Sequence, residues 1–306
     1  MLRRTLNHEI AMAKFVPRGF GWQPDLPDGR DYTFRHSEVQ RLILKLPPML
    51  ESEQPDSVDL RCDCDAEYFA EVDDQKELNA SSAFSALASV EYFERRIAGR
   101  TYDGSRLFLY QATRHRIAKA GRELADSGAD LRTTLKVLNQ VGVPPEEYWP
   151  YKVENFRLEP SSFLLSLATP TKALRYFRIV DDASDGGATW RALKSFLAAG
   201  FPILFGFSVP SSLTDGADIL FRKDYDAPRG GQSVVAVGYH MNRFGPNQDA
   251  ILIRSSWGQQ WGDNGYGWLP VSFVLSYLAR DFWCLISEEW LDDTELSRPS
   301  IVATSE

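Results

Sequence analysis

Cysteine is scarce in this chain of 306 residues, which has only Cys62, Cys64 and Cys284. Three cysteines are too few for the disulfide framework of a small secreted protein, and their odd number favours reduced thiols in the cytoplasm. Cys62 and Cys64 have no second Cys/His pair nearby, which makes them weak evidence for a metal site. We therefore expect a cytoplasmic protein without a metal or other cofactor, and we expect Cys284, in the apolar run DFWCLI, to lie in the core.

The chain also has few basic residues and no long apolar run. Its 34 Lys and Arg face 42 Asp and Glu, and the net charge of −8 argues against a nucleic-acid partner. A membrane span needs about 18 consecutive apolar residues, and no segment has a run of that length. The first residues, MLRRTLNHEIAMAKF, lack the apolar region of a signal peptide. Hydrophobic residues make up 43% of the chain, which is enough for a sizeable core.

The residue patterns divide the chain into four segments. Residues 1–57 are rich in Pro, Asp and Gly and are predicted to form an N-terminal arm. Residues 58–165 carry apolar residues at helical spacing. Residues 166–287 carry short β-branched and aromatic runs separated by Gly, Pro and Asp, and one helix is predicted among them at residues 186–200. Residues 288–306 form an acidic tail. This order predicts an α+β protein in which a helical lobe and a β-rich lobe meet at a cleft.

Three helices are predicted in the helical lobe. They cover residues 81–98, 105–121 and 130–142, and the last two end at glycines, which suit the position just after a helix. Asn79 and Ser81 are the candidates for the N-cap of the first helix.

Five stretches of the sequence carry a resemblance to a known family. The most specific is LIRSSWGQQWGDNGYGWLP. It resembles the motif I-K-N-S-W-G-x-x-W-G-x-x-G-Y of papain-like (C1 family) cysteine peptidases. QSVVAVGYH resembles that family's H-A-V-x-x-V-G-Y, and DQKELNASSAFSA resembles Q-G-x-C-G-S-C-W-A-F-S. GADLRTTLKVLNQVGVPPEEYWPY is similar to the family's glycine-ridge segment, and GFGWQPDLPDGRDYTF is similar to the start of bacterial members.

The resemblance implies a fold and a reaction. The motifs follow the family's order over roughly residues 20–286. They imply the papain-like two-lobed fold, with a helical lobe, an antiparallel β-barrel-like lobe and a substrate cleft between them. In such peptidases a Cys thiolate at a helix N-terminus attacks the peptide carbonyl, a His exchanges the proton, and an Asn orients the imidazole. A Gln side chain and the Cys backbone N–H form the oxyanion hole.

This sequence departs from the family at each catalytic position. Ser81 stands at the nucleophile position, Gln232 at the histidine position and Ser255 at the asparagine position. The oxyanion glutamine is retained as Gln75, and the tryptophan that shields the asparagine is retained as Trp257. Because an amide does not titrate near neutral pH, Gln232 cannot activate the Ser81 hydroxyl. The sequence therefore predicts a pseudopeptidase, a papain-like protein that does not cleave peptides.

The flanking residues and the histidines agree with this prediction. Lys76 and Asn79 replace glycines that the family has before the nucleophile, Leu78 replaces a cysteine, and Ser82 replaces a tryptophan. The histidines are His8, His36, His115 and His240, and we expect a surface or structural role for each.

The leading functional hypothesis is a catalytically inactive binding or scaffold subunit with a protein partner. The old substrate cleft could hold a peptide or a protein terminus without cutting it. The residues expected to line it are Gln75, Ser81, Ser82, Gly128, Ala129, Gln232 and Trp257. Two alternatives remain, a serine hydrolase or acyltransferase that uses Ser81 by an unfamiliar route, and a regulator of an active paralogous peptidase.

Overall fold

The fold consists of seven α-helices and nine β-strands in the part of the chain that the structure describes. The computed structural model describes residues 19–26, 28–45, 54–63, 66–118, 125–168, 175–181, 184–287 and 290. The helices are α1 Ser37–Ile43, α2 Ser81–Ala98, α3 Arg106–Ile117, α4 Leu131–Gln140, α5 Ser162–Leu167, α6 Gly186–Ala198 and α7 Ser272–Leu275. The strands are β1 Ser57–Asp59, β2 Cys62–Asp63, β3 Ala66–Glu67, β4 Arg175–Arg178, β5 Ile203–Pro210, β6 Pro228–His240, β7 Ala250–Arg254, β8 Tyr266–Pro270 and β9 Ala279–Ile286.

The helices α2, α3 and α4 lie where the hydrophobic periodicity predicts them. Asp130 caps α4 by accepting a hydrogen bond from the Thr133 amide at 2.7 Å, and Ser105 caps α3 in the same way. The predicted N-cap of α2 is wrong, because Ala80 occupies that position and contributes no side-chain hydrogen bond. The helix is held instead by burial, since most of its side chains lie inside the protein.

The strands build one large antiparallel sheet and confirm the α+β prediction. Its order is β4-β9-β5-β6-β7-β8, with β1 also paired to β6, and β2 pairs only with β3. The large sheet is open, with β4 and β8 at its two edges. The register places Phe207 opposite Gln232 on β5 and β6, and it places Val235 opposite Arg254 on β6 and β7. This alignment brings the ends of three distant motifs together beside α2.

The boundaries of the four segments stay predictions, and the observed helices and strands can be compared with them. Strand β1, at the boundary of the arm, pairs with the end of β6, and α6 lies where a helix is predicted within the β-rich segment. Cys284 is fully buried on β9, which confirms its place in the core, and burial raises the pKa of its thiol. Cys64 and nearly all of the acidic tail lie outside the described residues.

A short stretch of the arm joins the helices to the sheet. Residues 19–25, here called the strap, run between β6 and the turn before α4. The amides of Gly21 and Trp22 both donate to the carbonyl of Gly231 on β6 at 2.9 Å. On the other side, the Ala129 amide donates to the Gly21 carbonyl at 2.8 Å. The strap therefore makes main-chain hydrogen bonds to both walls of the groove in which it lies.

Candidate functional site

Gln75 stands at the centre of a buried polar network and uses its full hydrogen-bonding capacity. Its two amide hydrogens go to the carbonyls of Phe20 and Leu78, at 2.6 and 2.7 Å. Its side-chain oxygen accepts from Gln232 Nε2 at 2.9 Å and from Ser256 Oγ at 2.6 Å. The side chain has two donors and two acceptor lone pairs, and all four are engaged.

Gln232 approaches Gln75 from β6. Its Nε2 donates to the Gln75 oxygen and also to Ser256 Oγ at 3.0 Å. Its own oxygen is buried without a hydrogen-bond partner within the described residues. The predicted site residues Gln75 and Gln232 are thus in direct contact, although 157 positions separate them in the sequence.

Ser81 is the first residue of α2 and is fully buried. Its hydroxyl accepts a hydrogen bond from the backbone amide of Ser233 at 3.1 Å, while its own amide points at the Phe20 carbonyl at 3.4 Å. Ser82 is equally buried, and its hydroxyl has no partner among the residues described. The Ser81 hydroxyl therefore accepts from the backbone of β6, and no titratable side chain among the described residues accepts its proton.

Ser255 does not join the network of Gln75 and Gln232. Its hydroxyl donates to the Gly265 carbonyl at 2.9 Å and accepts from the Trp257 amide at 3.3 Å, so it stabilises the turn after β7. The neighbouring Ser256 takes the position beside Gln232 instead. Sequence reasoning missed Ser256, although its place in the RSSWG motif, next to the degenerate position, is a signal that could have found it.

Trp257 is buried beside this centre, as the resemblance implies. It is 3% exposed and packs edge to face against Trp261, with 4.8 Å between the ring centroids. Its indole N–H has no hydrogen-bond partner in the described part of the chain.

Gly128 and Ala129, predicted to line the cleft, contact the strap. A Cβ atom at Gly128, whose φ is +76°, would lie 2.3 Å from the Gly21 carbonyl oxygen. Ala129 forms a parallel bridge with Trp22. The main chain at the predicted cleft residues is therefore hydrogen-bonded to the protein's own strap.

The indole of Trp22 fills the space beside two glycines of the sheet. A Cβ atom at Gly206 would lie 2.0 Å from the ring, and one at Gly231 would lie 2.7 Å from it. The indole N–H donates to Asp281 Oδ2 at 3.2 Å. Any side chain at these two glycines would displace the strap, which explains why both are glycine.

A buried ion-pair cluster anchors the end of the strap. Arg178 on β4 contacts Asp25 at 3.0 Å, Asp31 at 2.9 Å and Asp281 at 3.4 Å, and Arg132 on α4 shares Asp31. Burial raises the pKa of the Asp25 carboxyl to about 8, and burial also raises the pKa of Asp281. The two arginines therefore balance three acids, of which Asp25 belongs to the strap and Asp281 to β9.

A second buried acid lies behind the centre, on α2. Glu91 accepts from Arg106 Nη2 at 2.9 Å, and its other oxygen is buried without a partner among the described residues. Burial raises the pKa of the Glu91 carboxyl to about 7. Between Glu91 and Ser81, the hydroxyls of Ser85 and Ser233 are hydrogen-bonded at 2.7 Å.

The histidines lie away from this centre. His36 caps α1, His115 contacts Glu159 at 3.0 Å, and His240 bonds the Met241 carbonyl at the far end of β6. His8 is outside the described residues. Within the ranges that the structure covers, no three His, Cys, Asp or Glu side chains are grouped to hold a metal ion, and no helix is long and apolar enough to cross a membrane.

Comparison with known proteins places this geometry in a family. The model of the papain family cysteine protease matches residues 54–272. An uncharacterized peptidase C1-like protein of Acanthamoeba polyphaga mimivirus is 31% identical over 280 residues, which are 88% of this chain and 87% of the viral protein. A cathepsin B-like protein of Giardia intestinalis is 28% identical over 224 residues, which are 70% of this chain and 69% of that protein.

The solved structures agree. Xylellain, a cysteine protease from Xylella fastidiosa, superposes with a TM-score of 0.69 at 27% identity, over 90% of this chain and 98% of that one. A procathepsin B from Trypanosoma congolense shares the fold at 17% identity, with a TM-score of 0.62 over 89% of this chain and 86% of that one. The chain therefore belongs to the papain family of cysteine proteases.

Proposed function

We propose that this chain is a catalytically inactive member of the papain family, which acts as a binding or scaffold subunit for a protein partner. The observation that carries the proposal is the hydrogen bonding of Gln75. Both of its N–H groups are held by main-chain carbonyls, and its oxygen is held by Gln232 and Ser256. An oxyanion hole requires a donor aimed at the substrate oxygen, and this donor is occupied.

The lack of a base supports the same proposal. A serine hydroxyl becomes a useful nucleophile when a neighbouring group takes its proton. The hydroxyl of Ser81 is bonded to the Ser233 amide, and the nearby Gln232 is an amide that does not titrate near neutral pH. Loss of a triad member typically lowers the rate by about 10³–10⁶-fold.

The closed cleft supports a partner on the outer surface. Gln75, Ser81 and Gln232 are fully buried, and the strap takes the main-chain hydrogen bonds that an extended peptide would need. A peptide partner could enter this cleft only after the strap leaves. The fold then acts as a rigid block, and the partner binds to its exposed face.

Activity assays test the proposal directly. We expect no turnover of fluorogenic peptides by the full chain and no labelling of Ser81 by a fluorophosphonate probe. Turnover or labelling that Ser81→Ala abolishes would instead establish the alternative, a serine hydrolase or acyltransferase. A matched Ser82→Ala variant controls for changes in the helix alone.

The binding role needs a separate measurement. The full chain, immobilised and exposed to an extract of its native organism, should retain a protein partner at a fixed stoichiometry, as measured by mass spectrometry. If the partner binds the outer surface, Gly231→Ala should leave that binding unchanged. Failure to retain any partner would argue against the scaffold role. Retention of an active papain-family peptidase, with loss of its activity, would favour a regulator of a paralogous enzyme.

A further inference from the structure

A cavity separate from the buried centre lies between residues 28–32 of the arm, α4 and β4. It has a volume of about 310 Å³, at the lower end of the range for small-molecule sites. Its lining residues are Asp28, Arg30, Asp31, Tyr32, Arg132, Lys136, Asn139, Arg175 and Tyr176. Four of these side chains are cationic and two are acidic. On a chain with a net charge of −8, this cavity has a local excess of two positive charges.

The two acids of the cavity are already engaged. Asp28 accepts from Arg30 at 2.9 Å and 2.6 Å. Asp31 accepts from Arg132 Nε at 2.7 Å and is shared with Arg178. Each carboxylate is therefore neutralised by a neighbouring guanidinium, and the excess of positive charge among the lining residues comes from Lys136 and Arg175.

Lys136 and Arg132 supply hydrogen-bond donors from one face of α4. Lys136 makes no ion pair or hydrogen bond with the residues that the structure describes. Arg132 uses Nε and Nη2 for Asp31 and the Leu26 carbonyl, which leaves Nη1. Tyr32 and Tyr176 also line the cavity, and their side chains carry neutral hydrogen-bond donors.

We propose that this cavity binds a small polyanion, a phosphate ester or a polycarboxylate, with Lys136 as its main charged contact. Guanidinium and ammonium groups that converge on a concave surface are the groups by which proteins bind such anions. One wall of the cavity, residues 28–32, follows the strap closely in the sequence, so the bound anion would tie α4 to the part of the arm that carries the strap. The ligand therefore stabilises the docked strap as well as occupying the cavity.

Calorimetry on the full chain tests the proposal, with inorganic phosphate, pyrophosphate and citrate in separate arms at one ionic strength. We expect at least one of these anions to bind, and we expect Lys136→Ala to weaken that binding roughly tenfold or more, as for the loss of a charged hydrogen bond. Preference for pyrophosphate or for citrate distinguishes the phosphate ester from the polycarboxylate. Lys223→Ala, at an exposed lysine outside the cavity, removes the same charge and should leave binding unchanged.

Two further measurements make the result decisive. Lys136→Gln removes the charge but keeps a polar, flexible side chain, and it should weaken binding like Lys136→Ala, while circular dichroism verifies that both variants are folded. The bound anion should also slow hydrogen exchange at residues 19–25. Absence of binding by all three anions, or equal binding by Lys136→Ala and Lys223→Ala, would overturn the proposal, and neither outcome bears on catalytic inactivity.

Discussion

The side-chain amide of Gln232 donates a hydrogen bond to the side-chain oxygen of Gln75 across a distance of 2.9 Å. Ser256 closes the triangle, since its hydroxyl donates to the same oxygen and accepts from Gln232. These groups are neutral at physiological pH, and they join β6 to the loop before α2 and the turn after β7. The position that the family resemblance assigns to catalysis thus holds a network that fixes three segments relative to one another.

The hydroxyls of Ser81 and Ser82 should differ in their contribution to stability. Ser81→Ala leaves the buried Ser233 amide without its acceptor, so we expect a loss of about 1–3 kcal/mol in the free energy of unfolding. Ser82→Ala removes a buried hydroxyl that has no partner among the described residues, so we expect it to be neutral or stabilising. Denaturant melts of both variants measure the difference. Equal effects would mean that the Ser233 contact contributes nothing.

Gly231→Ala should displace the strap without changing any of its residues. The new methyl group would lie 2.5 Å from the Trp22 carbonyl oxygen, which is closer than real Cβ contacts allow. We expect faster hydrogen exchange at the amides of Gly21 and Trp22, and a stability cost of about 1–3 kcal/mol for overpacking. Gly29→Ala is the matched control, because nothing lies within 4 Å of a Cβ atom at that position. Unchanged protection in Gly231→Ala would contradict the contact.

Glu91→Gln should change how stability depends on pH. The native pKa of Glu91 is about 7, above its ordinary value of 4.5, so the folded protein holds a proton that the unfolded chain releases. The contribution of Glu91 to stability is therefore fully present below pH 4.5, falls as the pH rises toward 7, and is level above that. Gln resembles the protonated acid, and it should raise stability by about 3 kcal/mol at pH 8 with little effect at acid pH.

The control for this prediction is a neighbouring acid on the same helix. Glu94→Gln removes the same formal charge three residues further along α2, where the side chain is only half-buried. Urea melts between pH 4 and 8 compare the two variants. A native-like slope in Glu91→Gln would show that Glu91 is not the group responsible.

The sequence predicted the helices of this fold better than it predicted the hydrogen bonds at their ends. Period and composition placed α2 and its neighbours, because one face of each helix is buried and the pattern records that burial. The same signals did not predict the contacts of Asn79, which was a candidate for the N-cap of α2. Its side-chain oxygen accepts from the Phe20 amide at 3.1 Å, and its side-chain amide group donates to Asp126. These partners lie 59 and 47 positions away, so tertiary contacts outweighed the local preference of Asn for an N-cap.

The candidate site shows the same limit. The motifs predicted that Gln75, Ser81 and Gln232 lie close together, and the structure places them beside one another. The strap could not be predicted from its own composition, since a Pro- and Gly-rich arm is compatible with many paths over the surface. Its position follows from the fit between Trp22 and Gly206, a pair that only the folded sheet brings into contact.

The strap should control the access of reagents to position 81. Ser81→Cys alone should give a thiol that reacts very slowly with iodoacetamide, because the side chain at this position is fully buried under the strap. Adding Gly231→Ala should expose the thiol and raise the labelling rate severalfold, whereas adding Gly29→Ala should not. Mass spectrometry of the labelled peptide measures the rate at this cysteine separately from the three native ones.

Peptidase activity should remain absent in Ser81→Cys, even with the strap displaced, because no acid is present to protonate the leaving amine. The triple change Ser81→Cys, Gln232→His and Ser255→Asn should also be inactive while the Phe20 carbonyl holds the Gln75 amide. Adding Gly231→Ala frees that amide, so weak turnover of fluorogenic peptides is expected in the quadruple variant. Activity in the triple variant equal to that of the quadruple variant would show that the strap does not block the cleft.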